Sequence, residues 1–329
     1  MAFTYSEAQA VSDLGYDDKM HDQVYDSTPF WMKLKLNDQI ESSGGGRQWT
    51  WPVKVKKYGK ANAVDPNDRI NYVGKTTRTM AYVEPKYYVG SSVISWQENQ
   101  QNKGKAKIID LVANKSEEVM DDFIDRLNTD LWTANPNGLG IEPISSIVDS
   151  STSTASGGIT PTDCDTGAWV SAEDSSTTKL ELYGGVYGTT TYNSISSMTN
   201  YAKYGGNGPT MYLTTKDIRS VFESLLETHQ IFEKLGDKQM ADAGFKNVSF
   251  HGIGVFDDPY VPAGSFYGLD MKALAIFKDP DSYLQVTKWE KHSTEYPKAM
   301  VKAMFAVLNL KWERRRTSFK FTALDASLV

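Results

Sequence analysis

Between Arg47 and Lys57 the chain alternates with a period of two: Trp49, Trp51, Val53 and Val55 fall on one face, and Lys54 and Lys56 on the other. This predicts a strand over 47–57, and Pro52 marks it as an edge strand because proline has no N–H for a ladder. Asp65, Pro66 and Asn67 supply turn chemistry, and return strands fit 70–83 and 86–95. The whole stretch from Arg47 to Trp96 therefore reads as an extended ribbon. A two-stranded ribbon is marginal alone in water. Its tryptophan-lined face is expected to find cover on a neighbouring molecule.

The period then changes to that of a helix. From Glu98 to Trp132, Ile108, Val112, Val119, Phe123, Leu127 and Leu131 recur at spacings of four and seven, opposite Lys115, Glu117, Glu118, Asp121 and Arg126. Gly104 loosens the first turns, and Pro136 and Gly138 end the helix. Residues 1–46 alternate acidic positions with one apolar cluster (Phe30, Trp31, Leu34, Leu36) and close on Gly44–Gly46; they read as a weakly structured arm. Residues 149–179 are rich in Ser, Thr and Gly and read as a surface loop.

A mixed region follows. Strand-like Thr210–Leu213 precedes a helix over 216–228, with Thr215 placed to cap it and Ile218, Val221, Phe222, Leu225 and Leu226 forming its apolar face. Strands fit 247–256, 265–269 and 273–277, with turns at Asp258-Pro259 and Pro262-Ala263-Gly264. From Ala299 to Trp312 both faces are apolar, which predicts a central buried strand. A short strand through Phe319 and Phe321 closes the chain. The fold class is α+β.

Composition narrows the function. A formal charge of -6 argues against a sequence-independent nucleic-acid coat, which would need a basic face. No apolar run reaches a membrane span, and the acidic start from Met1 lacks the apolar core of a secretory signal. The single cysteine, Cys164, excludes an internal disulfide framework and fits a reducing compartment.

Candidate chemistry is sparse. His21, His229, His251 and His292 lie far apart, and no second thiol accompanies Cys164, so no metal or cofactor is expected. Gly184-Gly185-Val186-Tyr187-Gly188 lacks the spacing of a dinucleotide fingerprint. His251, expected within a strand, reads as structural, and Asp257-Asp258 as an acidic turn. No catalytic residues are assigned, and the chain is expected not to be an enzyme.

Two charge features remain. Residues 1–26 hold Glu7, Asp13, Asp17, Asp18, Asp22 and Asp26 against Lys19, while the ribbon carries Arg47, Lys54, Lys56, Lys57 and Lys60. Both runs are either solvated or paired with each other between subunits. Arg314, Arg315 and Arg316 suit either nucleic acid or forked pairs with carboxylates at a subunit contact, and the acidic net charge favours the contact. The candidate contact residues are thus Trp49, Trp51, Val53, Lys54, Val55, Lys56, Lys57, Lys60, Asp17, Asp18, Asp22 and Arg314–Arg316.

Taken in order, arm, ribbon, long helix, mixed region and closing strand resemble the major capsid proteins of tailed bacteriophages, with the Hong Kong 97-type shell fold. Three stretches carry the resemblance. Asp122 to Trp132 followed by Gly138-Leu139-Gly140-Ile141-Glu142-Pro143-Ile144 is similar to the family's helix end and glycine-rich loop. Thr210 to Thr215 before Lys216 to Leu226 resembles its axial strand and helix. Leu308-Asn309-Leu310-Lys311-Trp312 through the arginines to Leu324 resembles its terminal strand pair.

The resemblance implies an N-terminal arm at 1–46, an extended loop at 47–96, a peripheral domain with a spine helix from 97–184 and 296–329, and an axial domain at 185–295. It implies self-assembly through pentamers and hexamers into an icosahedral shell around double-stranded DNA, touched weakly and without sequence preference. A separate scaffolding protein, a portal and a decoration protein are the implied partners. The implied location is the virion capsid, after assembly in the host cytoplasm, with no membrane. An encapsulin-like shell around protein cargo and a monomeric β-rich ligand-binding module are the alternatives.

Overall fold

The computed structural model describes residues 28–59, 61, 63, 65, 74–95, 97–98, 105–151, 153, 155–165, 168–174, 178–179, 190–228, 248–291, 299–322 and 324–325. Helix α1 (Pro29–Leu36) and β1 (Ile40–Ser42) precede β2 (Trp49–Lys54), β3 (Arg78–Val83), β4 (Lys86–Ile94) and the long helix α2 (Lys105–Trp132). Then come α3 (Ile144–Ile147), β5 (Ala172–Asp174), β6 (Thr178–Lys179), α4 (Thr190–Ala202), β7 (Met211–Thr214) and α5 (Lys216–Thr228). The remaining strands are β8 (Val248–Phe250), β9 (Ile253–Asp257), β10 (Phe266–Leu269), β11 (Leu274–Lys278), β12 (Gln285–Val286), β13 (Glu290–Lys291), β14 (Met300–Trp312), β15 (Phe319–Phe321) and β16 (Leu324–Asp325). They form two compact units, one drawn from Met1–Gly45, Pro85–Pro143 and Ile276–Leu310, the other from Gly46–Glu84, Ile144–Ala275 and Lys311–Val329.

In the first unit β14 is the central strand: β4, β11, β12 and β13 all pair with it, and β1 adds to β11 in parallel. Its apolar character on both faces is the reason, as expected from sequence. Helix α2, about 42 Å long at ~1.5 Å per residue, buries Phe123, Leu127 and Leu131. The side chains of Ile108 and Val112, and Gly104, lie outside the described residues. Strand β4 runs so close to α2 that a Cβ on Gly90 would stand 2.9 Å from Val119. Only glycine fits that crossing.

The first unit also corrects the expectation for residues 1–46. Where they are described, from residue 28, they fold: Pro29 starts α1, where its missing N–H leaves nothing unsatisfied. The helix buries Phe30, Trp31 and Leu34. The Trp31 indole N–H donates to Asn128 Oδ1 at 2.7 Å, and the Phe30 ring meets Trp132 edge-on at 6.2 Å. Asp38, at φ 54°, closes the helix, with Gln39 N–H on the Leu34 carbonyl and Asp38 N–H on that of Lys35. Three large apolar side chains on one turn outweigh the polar composition around them.

In the second unit six strands lie in the order β5-β15-β10-β7-β9-β8. Tyr212, Phe222, Phe250, Phe266, Phe319 and Phe321 meet as an aromatic core with Ile195 of α4 and Ile218 and Val221 of α5. The expected strand over 247–256 is two strands, β8 and β9, joined by His251 and Gly252 at φ 53° and 75°. Positive φ at both positions is the backbone of a tight hairpin turn, so His251 sits in a turn and not within a strand.

Two pairings cross the grouping expected from sequence. β4 leaves the ribbon to pair with β14, from Lys86↔Leu308 to Ile94↔Met300. β15, grouped from sequence with the long helix, pairs instead with β10. Within the ribbon, β2 and β3 pair from Trp49↔Val83 to Lys54↔Arg78, with Pro52 on an edge strand.

Candidate interaction surfaces

The tryptophan-lined face of β2 is covered by its own unit. Trp49, Trp51, Val53 and Val55 are all buried, as are Ala81 and Val83 of β3. The Trp51 indole N–H donates to the Trp312 carbonyl at 2.9 Å, and the two rings meet edge-on at 5.7 Å. The cover is the Ser/Thr/Gly-rich stretch, expected from sequence to be a surface loop. Tyr82 N–H donates to the Gly157 carbonyl at 3.0 Å, and Asp165 binds both ways: its N–H to Val55 O at 3.0 Å and its carboxylate to Lys57 N–H at 2.6 Å. Ile159 and Trp169 of this stretch are buried. Gly158, at φ 70°, lies where any Cβ would overlap the Tyr82 ring. The expectation that this face needs a neighbour is therefore corrected; composition disguised a loop whose few apolar residues are spaced to pack.

The arginine triplet divides by role. Arg315 is 1 % exposed and donates to three carbonyls: Ile147 from Nε at 2.7 Å, Trp169 from Nη1 at 3.0 Å and Asp149 from Nη2 at 3.3 Å. Burial lowers its pKa from the ordinary guanidinium range. It ties the covering loop down and is not a subunit contact, because the turn after β14 points its side chain inward. Arg314 approaches Asp270 at 3.6 Å. Arg316 lies over the Tyr204 ring, 4.2 Å from its centroid.

Arg316 also lines a groove of about 710 Å³ with Lys54, Lys56, Lys57, Arg78 and Arg314. The acidic residues lining it are Asp165 and Glu313. Asp17, Asp18, Asp22 and Lys60 lie outside the described residues.

Sequence patterning missed a surface on the first unit. Tyr87, Val89 and Val93 of β4 are 70 %, 61 % and 49 % exposed, and Phe305 of β14, across from Val89, is 37 % exposed. Tyr88 and Ile94 on the opposite face are buried. The signal was present, since Lys86–Ile94 is apolar at odd and even positions alike, as a strand covered on both sides would be.

Among the described residues, reactive groups are not gathered into a site. Among the described residues no three of His, Cys, Asp and Glu come together as metal ligands, and no helix is long and apolar enough to cross a membrane. Burial pushes the Cys164 thiol up, away from the reactive thiolate. His251 Nε2 lies 3.1 Å from Ser196 Oγ.

At the level of sequence, no protein-family model and no curated protein matches the chain. Solved structures do. The cyanophage A-1(L) capsid asymmetric unit superposes with a TM-score of 0.66 at 17 % identity, over 89 % of this chain and 92 % of that one. This is the Hong Kong 97-type shell fold. The capsid of the native GTA particle has the fold too, at TM-score 0.55 and 8 % identity over 89 % of this chain and 91 % of that chain. So does the holo-SrpI encapsulin complex from Synechococcus elongatus PCC 7942, at 0.51 and 9 % over 92 % and 89 %. The shell fold thus extends over nearly the whole chain.

Proposed function

We propose that the chain is a major capsid protein that assembles with copies of itself, through pentamers and hexamers, into an icosahedral shell around double-stranded DNA. The observation that carries this is the match to the cyanophage capsid subunit over 89 % of one chain and 92 % of the other, which leaves little room for a grafted catalytic module. The exposed apolar stripe of Tyr87, Val89, Val93 and Phe305 supports it, because surfaces of this kind are what subunits cover in an assembly. The role is structural and not enzymatic, and its place is the virion capsid. Assembly in the host cytoplasm, a separate scaffolding protein, a portal and a decoration protein belong to the same proposal. So does the division into an extended loop near 47–96, a peripheral part containing α2, and an axial part within 185–295.

Negative-stain and cryo-electron microscopy of the expressed chain, alone and with co-expressed candidate scaffolds, test it. Closed icosahedral particles whose native counterparts hold nuclease-protected DNA are expected. The encapsulin likeness gives a second outcome: particles holding a protein guest and no protected DNA identify a cargo shell instead. A chain that stays monomeric at all concentrations and with every scaffold overturns both, and leaves a ligand-binding module.

A further inference from the structure

We infer that the basic groove at the foot of the ribbon binds nucleic acid through its phosphates. All of its lining belongs to the second unit. The walls bring six cations, Lys54, Lys56, Lys57, Arg78, Arg314 and Arg316, around about 710 Å³, in a protein whose net charge is -6. The net charge excludes a surface that is basic all over, but not one local contact. Lys54 and Arg78 stand directly opposite each other in the β2–β3 ladder, where like charges destabilise a pair. The two acidic residues of the lining are already engaged. The Asp165 carboxylate accepts the Lys57 backbone N–H, and Glu313 pairs with Lys311 at 3.3 Å. Among the described residues no carboxylate pairs with Lys54, Lys56, Arg78 or Arg316. An entering anion relieves such a concentration of like charge.

Aromatic rings decide which anion. Arg316 lies 4.2 Å from the Tyr204 ring centroid and 5.6 Å from that of Tyr201, and Lys57 lies 5.7 Å from the Tyr204 centroid. Both rings remain 40 % or more exposed. Tyr204 is set by a tight turn, since it pairs with Asn207 across Gly205 and Gly206, at φ 60° and 83°. Cations interleaved with exposed rings suit a nucleic-acid strand, whose phosphates take the charge while sugars and bases lie against the rings. An acidic protein segment would use the cations alone. The guanidinium fork matches phosphate oxygens, and with Arg316 Nε buried and lacking an acceptor, the contact falls to its Nη nitrogens. The nucleic acid a shell subunit meets is packaged DNA, so the identity of the occupant rests on the proposed function.

Fluorescence anisotropy of labelled duplex and single-stranded DNA, titrated with the full chain below its assembly concentration at several salt concentrations, tests the site. The four cations without a carboxylate predict a slope of log affinity on log salt of roughly −3.6 for duplex and roughly −2.8 for single strand, at about 0.9 and about 0.7 per phosphate contact. Binding of either probe supports the inference, and tighter binding of the single strand shows that the rings also receive bases. Arg316→Gln is expected to flatten the slope by about 1 and to weaken binding about tenfold at roughly 0.05 M salt. Lys54→Gln with Lys56→Gln is expected to flatten it by about 2, with an unchanged circular dichroism spectrum. Lys272→Gln, exposed and outside the groove, should change neither affinity nor slope. Parental slopes in the groove variants overturn the inference. So does polyglutamate that displaces the probe as well as unlabelled DNA does at equal charge, which assigns the groove to carboxylates of a protein partner. DNA-filled shells from a chain whose unassembled form binds neither probe keep the proposed function and remove this inference. A chain that binds DNA with these slopes and never closes shells does the reverse.

Discussion

Arg315 shows how one guanidinium orders a loop that has almost no regular structure. Its donors satisfy the carbonyls of Ile147 and Trp169, and it shares the carbonyl of Asp149 with the Ser171 N–H at 3.1 Å. Its own carbonyl accepts from Ser171 Oγ at 2.6 Å. Arg315→Met should therefore strand the Ile147 and Trp169 carbonyls in a dry site and lower the unfolding free energy by about 3–5 kcal/mol in urea titrations. Arg315→Lys, which reaches one carbonyl at a time, should recover only part of the loss.

A second residue-scale prediction concerns pH. Burial pushes the Tyr212 hydroxyl up from 10.0 to about 12, against a Thr199 hydrogen bond at 2.9 Å that pulls it down. The folded value is raised, so the unfolded chain loses its proton first. The stability contributed by neutral Tyr212 is complete below pH 10 and is lost as pH rises toward 12. The urea midpoint of Tyr212→Phe, compared with the parent across that window, should fall less steeply. A parallel fall in both proteins would show that Tyr212 does not titrate differently on folding.

At the scale of elements, β4 joins two jobs in nine residues. One face seats Tyr88 and Gly90 against α2, where Tyr88 donates to Asp130 at 2.8 Å and accepts from Ile141 N–H at 2.9 Å. The other leaves Tyr87, Val89 and Val93 in water beside Phe305. Val89→Lys with Val93→Lys should leave the thermal midpoint of the unassembled subunit within a few degrees, since exposed substitutions change stability by only about 0.5 kcal/mol. Shell formation in sedimentation runs should be lost. Assembly at the parental rate would remove this stripe from the contact surface.

Periodicity made many of these elements legible from sequence, including α5, β10 and the thirteen-residue β14. It did not reveal partners. Alternation in Trp49–Val55 states that one side is apolar, not that Trp312, some 261 positions away, covers it. β4 likewise pairs with a strand more than two hundred residues later, a choice no local window contains. The three consecutive arginines look alike in sequence, and only the turn that carries them decides that Arg315 goes inward. The acidic arm and Lys60 remain matters of charge pattern, since they lie outside the described residues.

At the scale of the whole molecule, a fold shared at 17 % identity over about nine-tenths of both chains means that element order, more than side-chain identity, is the common property. That order makes the ribbon the element to cut, and its two halves should answer differently. The stem, from Trp49 to Lys57 and from Lys75 to Val83, is held by the β2–β3 ladder, by Lys75 Nζ on the Lys57 carbonyl at 2.9 Å and by the Trp51–Trp312 contact. Removing it uncovers Trp169, Ile159 and Trp312 together. Large apolar truncations of this kind cost about 3–5 kcal/mol per aromatic side chain, so the product should be insoluble or unfolded by circular dichroism. Replacing only residues 60–73 with a Gly-Gly turn keeps every one of those contacts. That shortened chain should fold with a near-parental melting temperature and yet fail to close shells by electron microscopy, if the ribbon's reach serves neighbouring copies. Normal shells from the shortened chain would confine the ribbon to folding its own subunit, and would shift the assembly contacts to the β4 stripe.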